Sequence, residues 1–166
     1  PELTAIVIDR LRKEGVDILE GVKISSVSGG EGRIAVTVAD REGEREISGS
    51  HILVATGRRA NVEGLDLEKA GIEYTERGLK LDDRLRTTNR RIFAIGDVAG
   101  GLQFTHVAGY HAGIVIRNAL FRVPARADHS AVPWVTYTDP ALAHVGLTED
   151  EARNNNLQIN ILRWHL

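Results

Sequence analysis

An apolar run, Ile92-Phe93-Ala94-Ile95, ends in Gly96-Asp97 and leads through a glycine-rich stretch into a helix-patterned segment. That order constrains the fold more than any other feature of the chain. A buried strand over Arg91–Ile95 delivers a carboxylate at its C-terminal end, and ligands of open α/β sheets bind at such ends. An Asp there can accept hydrogen bonds from sugar-type hydroxyls. The alternative, for the pair alone, is a Gly-Asp turn that caps a strand. Residues Val98–Gln103 form the glycine-rich loop, and a helix is expected from about Thr105 to Phe121, stopped before Pro124. Its start near Phe104-Thr105-His106 offers free N–H groups and a partial positive charge, which favour an anionic ligand atom. Ala108, Gly109, Ala112 and Gly113 keep one side slim enough to pack on a sheet or a flat ring. Tyr110 and His111 read as partly buried polar residues with local partners. His106 stays open between that role and acid–base chemistry.

A second apolar run, Ile52-Leu53-Val54-Ala55, ends in Thr56-Gly57-Arg58-Arg59. Small residues at a strand end let a ligand or another backbone approach closely. The alternative is a core strand with a glycine turn. Upstream, residues 1–15 read as a helix with Leu3, Ile6, Val7 and Leu11 on one face, and with Pro1, Glu2 and Gly15 at its ends. Val16–Leu19 reads as a short strand. Alternating apolar residues on both sides of Gly29-Gly30-Glu31-Gly32 predict a hairpin, and Arg41–Glu46 a charged turn. A short helical piece near Leu67–Ala70 and a short strand near Leu79–Leu81 interrupt an otherwise irregular stretch. Residues 124–131 read as a linker, and Pro133–Thr138 as a β-rich run. Thr148-Glu149-Asp150-Glu151 has capping-box spacing and opens a short helix. Leu157, Ile159 and Ile161 alternate as a last strand. A leading helix without a preceding strand, and a closing strand without a partner, are expected of a segment of a longer protein.

Composition narrows the function. The chain has 166 residues, 42% of them hydrophobic, so it can bury a core and is not disordered as its main state. Its 21 Lys+Arg against 23 Asp+Glu give a net charge of -2, which argues against non-specific nucleic-acid binding. No apolar run is long enough to span a bilayer and no signal-peptide pattern is seen, so a cytoplasmic location is expected. With no Cys there is no disulfide framework, thiol nucleophile or Cys-based metal site. His106 and His111 are five apart, poor spacing for two ligands on one helical face, and there is no HExxH, so no metal is expected. There is no GxSxG and no complete GxGxxG. Arg58-Arg59 and Arg90-Arg91 read as solvated loop charges. The 17 Gly residues suit the tight turns and close backbone approaches of α/β nucleotide-binding folds.

Three segments in order, Ile52–Asn61, Thr87–Asp97 and Thr138–Ala152, resemble the FAD-dependent pyridine nucleotide-disulfide oxidoreductases. The resemblance is to the branch holding dihydrolipoamide dehydrogenase, glutathione reductase and mercuric reductase, and it covers essentially the whole chain. It implies an α/β fold: partial FAD- and NAD(P)-binding Rossmann-like domains plus the start of an α+β dimerisation domain. Residues 1–56 would be the second half of the NAD(P)H domain, 57–128 the C-terminal part of the FAD domain, and 129–166 the start of the dimerisation domain. It implies cofactor-binding roles for Gly57, Arg58, Gly96, Asp97, Phe104, Thr105 and His106. Asp97 would bind the ribityl chain of FAD. Thr105 and His106 would present backbone N–H groups to the pyrimidine side of the flavin, and Gly57 would lie close to the nicotinamide cofactor, NAD or NADP.

The implied activity is electron transfer between NAD(P)H and a disulfide or other small-molecule acceptor through FAD, in a homodimer without nucleic-acid or membrane partners. Ala60 departs from the family's usual Pro. The family's redox Cys pair, glycine fingerprints and His-Glu acid–base pair are expected outside this segment, so no catalytic side chain is assigned within it. Two other readings remain: a non-catalytic folding or assembly module without bound cofactor, and another flavin branch whose redox centre is not a Cys pair. The Thr138–Ala152 segment argues against the second.

Overall fold

Alternation of Val and Ile with small or polar residues builds the first sheet of the structure, a computed structural model describing residues 2–164. The chain divides into two compact units. The first runs to Gly57 and takes in Tyr137–Leu142; the second holds Arg58–Thr136 and the stretch from Ala143 onward.

In the first unit, α1 (Glu2–Lys13) is followed by a three-stranded antiparallel sheet of β1 (Lys23–Gly30), β2 (Arg33–Asp40) and β3 (Gly43–Gly49), in the order β1-β2-β3. The hairpin expected around Gly29–Gly32 is present, with Gly30 opposite Arg33 and Val27 opposite Val36. The central strand β2 buries most, and Val38 is its innermost residue. In α1 the half-buried positions are Val7, Ile8 and Leu11, while Leu3 and Ile6 stay exposed. Pro1, expected at the helix start, lies outside the described residues.

Three expectations are corrected in this unit. Val16–Leu19 forms no strand, nor does Ile52–Ala55. Both have the composition of a strand, but a strand needs a neighbour for its N–H and C=O groups, and none is paired to either among the described residues. Leu53 and Val54 are accordingly 89% and 73% exposed. The charged turn is confined to Arg41-Glu42, where the Glu42 N–H donates to the Asp40 carboxylate at 2.8 Å; Gly43–Glu46 already belongs to β3.

The second unit centres on α2 (Thr105–Ala119), in agreement with the helical pattern. Val107, His111 and Ile114 recur at helical spacing and are its buried stripe. Against its start packs a single 3-10 turn, Gly96–Ala99. A two-stranded piece, β4 (Tyr74–Thr75) and β5 (Gly78–Leu79), packs on that turn. Gly78 is required there: its φ is +134°, and a Cβ would meet the Val98 carbonyl oxygen at 2.6 Å. β6 (Trp134–Thr136) and β7 (Leu142–His144) form a third sheet, which belongs to this unit but for Leu142. α3 (Glu149–Asn154) carries the predicted capping box, with Thr148 and Glu151 satisfying each other's backbone N–H.

Three further corrections fall here. Arg91–Ile95 is not a strand but an extended segment with a single bridge, Arg86 to Phe93. Leu67–Ala70 is one hydrogen-bonded turn rather than a helix. The alternating Leu157–Ile161 run has no strand partner among the described residues. All pairing among those residues is antiparallel or too short to set a layer, so the helices and strands fit an α/β fold without displaying a parallel sheet.

Candidate functional site

The extended segment before Gly96 is held by its neighbours rather than by a sheet. Thr87, buried, donates its hydroxyl to the carbonyls of Asn89 and Ile92. Thr88 donates to Gly71 O and Asn89 to Ala70 O, each at 2.8 Å. The Ala94 N–H returns to Leu85 O. This stitching delivers Gly96 and Asp97 to the start of α2.

Gly96 sits at φ +69°, and a Cβ there would stand 3.2 Å from the Ala108 Cβ. The slim side of α2 thus meets the residue before Asp97, as the Ala and Gly positions of the helix anticipate. Asp97 is the second residue of the 3-10 turn, with its carboxylate partly exposed. Its Oδ2 accepts from Arg58 Nη2 at 2.7 Å, while Arg58 Nη1 donates to Gln103 O at 2.9 Å. One guanidinium therefore ties the carboxylate to the loop just ahead of α2. Arg58 is not the free solvated charge its sequence context suggests. Arg59, by contrast, pairs with Glu63, four residues away.

The amino end of α2 is open. Phe104 occupies the N-cap position without a side-chain capping bond, so the first-turn N–H groups face outward unsatisfied by the helix itself. No acidic residue stands in that first turn to neutralise its partial positive charge. Thr105 and His106 are exposed, and the His106 ring stacks on Phe104 with centroids 5.3 Å apart. Gly57, exposed at φ +119°, ends the first unit and is described with it. The structure thus gathers Arg58, Gly96, Asp97, Phe104, Thr105 and His106 within the second unit.

Of the next group inward, the sequence named Tyr110 and His111 as partly buried polar residues but not His129. His111 is only 2% exposed. Its Nδ1 accepts the Gly96 backbone N–H at 3.2 Å, and its Nε2 lies 2.7 Å from Nε2 of His129. Burial first, and the His129 charge second, hold the His111 imidazole below its usual range. Tyr110 accepts the Asp128 N–H at its hydroxyl and packs edge-on against His129. The partners of His111 lie 15 and 18 residues from it, so they are not the local ones its position suggests. No spacing rule could have found them.

Asp97, the open helix end and the slim helix face suit a flavin dinucleotide. The carboxylate suits a polyol chain, since only Oδ2 is engaged among the described residues. The uncapped N–H groups suit an electron-rich ring edge.

The model of the family described as pyridine nucleotide-disulphide oxidoreductase matches residues 1–112. The chain is 37% identical over 160 residues to a mercuric reductase of Staphylococcus aureus, covering 96% of this chain and 29% of that protein. It is 34% identical over 159 residues to a dihydrolipoyl dehydrogenase of Geobacillus stearothermophilus, covering 95% of this chain and 34% of the other. Among solved structures it resembles the HOCl-induced flavoprotein disulfide reductase RclA of Escherichia coli. That match has a TM-score of 0.78 and 32% identity, over 89% of this chain and 33% of that one. The chain spans about a third of the length of these relatives.

Proposed function

The chain belongs to the pyridine nucleotide-disulphide oxidoreductase family, and from that premise we propose that it forms part of a flavoprotein that passes electrons between NAD(P)H and a disulfide or related acceptor. The observation that carries this reading is the placement of Asp97 beside the uncapped amino end of α2, held there by Arg58. FAD, when bound, supplies the two-electron relay. Asp97 accepts hydrogen bonds from its ribityl hydroxyls. The N–H groups at Thr105 and His106 favour negative charge at the pyrimidine edge of the ring. Arg58 fixes the orientation of the Asp97 carboxylate. Gly57, without a side chain, leaves room for the nicotinamide, from NADH or NADPH alike. Residues 1–56 serve the NAD(P)H domain, 57–128 the FAD domain, and 129–166 begin the dimerisation domain of a cytoplasmic homodimer. The chain has no Cys, so its part in a disulfide reaction is cofactor placement.

A second reading, a cofactor-free assembly module, draws support from the exposed Leu53 and Val54. The visible absorption spectrum of the purified protein, taken with its intact mass, separates the two. A flavin band near one equivalent per chain is the expected result. A colourless, monodisperse protein that unfolds cooperatively would favour the module.

A further inference from the structure

The His111–His129 pair adjoins Gly96, the residue before Asp97, and the proposed electron transfer gives it no task. Its hydrogen bonds fix the proton positions. The Gly96 N–H can only donate, so Nδ1 of His111 is unprotonated and its Nε2 carries the hydrogen. That hydrogen points at Nε2 of His129, which must therefore accept. The chain of bonds runs one way, from Gly96 N–H to His111 to His129, and it holds only while both rings are neutral.

A proton added to either ring breaks it at the same place. Protonated His111 presents an N–H to the Gly96 N–H. Protonated His129 must donate from Nε2, so His111 has to accept at its own Nε2 and move its hydrogen to Nδ1. Again two donors face each other at a buried glycine. Gly96 is buried and precedes Asp97 directly, so losing this acceptor loosens the carboxylate that Arg58 otherwise orients.

We propose that His111, kept neutral and oriented by His129, is a positioning residue that holds Asp97 and the amino end of α2 on one flavin, and that acidification releases this hold. The inference rests on the FAD reading above. The charged groups around the pair are few. Asp82 and Asp83 line the same cleft as His111 and His129, and each is already engaged, Asp82 by Arg86 and Asp83 by Arg126. Asp128 adjoins His129 and accepts from the Ser130 N–H. Tyr110 faces both rings from α2. Asp97 beyond Gly96 is paired with Arg58.

The test is the rate of FAD release from the flavin-loaded protein, followed by flavin fluorescence at pH 7.5 and pH 5.5. His111→Asn supplies an oxygen where Nδ1 stood and cannot titrate. His111→Leu removes the acceptor. The wild-type protein should release FAD about tenfold faster at pH 5.5, the scale of one lost buried hydrogen bond. His111→Asn should change less than about twofold between the two pH values, and His111→Leu should release fast at both. A second readout is independent of activity: the imidazole 15N shifts at pH 7.5 should show Nδ1 of His111 without a proton.

Equal pH profiles for wild type and His111→Asn, or a protonated Nδ1, would overturn the inference and leave the FAD reading intact. Failure of every variant, and of the wild type, to hold flavin at either pH would overturn that reading and this inference together.

Discussion

Single side chains at this site act through backbone as much as through charge. Arg58 and Asp97 form a close pair, but both are more than a third exposed, so the contact itself adds at most about 1 kcal/mol to stability. What it does is orient a carboxylate. Gly96 has the larger structural role. Its φ of +69° is left-handed, and a Cβ added to it would stand 3.2 Å from the Ala108 Cβ, which leaves little room for any other residue. Gly96→Ala should therefore cost about 1–3 kcal/mol, measurable as a lower urea midpoint with an unchanged slope. An unchanged midpoint would show that α2 and the Gly96 turn can move apart without loss. Asp97 was legible in the sequence because a lone carboxylate after a strand-like run is a local pattern. Its partners were not. Arg58 is 39 residues away from Asp97, and the polar chain behind it joins Gly96, His111 and His129, which no periodicity links.

Elements that depend on nearby residues were the ones the sequence could show. α2, α3 and the β1–β2 hairpin each follow from local signals: an apolar stripe, a capping box and a glycine turn. The capping box gives a direct check. Thr148→Ala removes the side chain that receives the Glu151 N–H and contacts its carboxylate. That should cost about 1 kcal/mol and speed amide exchange across Glu149–Asn154, with β1–β3 unaffected; uniform exchange changes in both regions would refute a local role. The apolar runs at Val16–Leu19, Ile52–Ala55, Arg91–Ile95 and Leu157–Ile161 carry strand composition without strand structure. The reason is physical. β-propensity reports fit to a pleated, half-buried surface, and that surface has to be supplied by other strands. The described residues supply none for these four segments.

The protonation of the whole molecule sets the range of pH over which it is stable. His111 is held below its ordinary value of 6.5 by burial. The unfolded chain therefore takes up that proton first, so the contribution is complete above 6.5, begins to be lost below it, and goes on falling until the pH passes the lowered folded value. For Asp82, burial pushes the carboxyl up, but hydrogen bonds from Arg86 and Arg84 outweigh this and hold it low. Asp128 is held low by the Ser130 N–H, and Glu151 by Thr148. Their contribution is present above their unfolded values and disappears in acid. Tyr74, bonded to Glu68, and Lys80, bonded to Glu73, are raised above 10.0 and 10.5, so theirs is lost only as pH rises beyond those values. Denaturation midpoints should thus form a plateau from about pH 7 to pH 9, with a first fall near pH 6. A profile flat down to pH 5 would contradict a neutral buried His111. The proposal that the second unit holds FAD through Asp97 is tested by fluorescence titration of the flavin-stripped protein with FAD. Wild-type protein should bind one FAD per chain, and Asp97→Ala should bind it at least about tenfold more weakly while keeping its fold by circular dichroism. Equal affinity in the two proteins would contradict the claim.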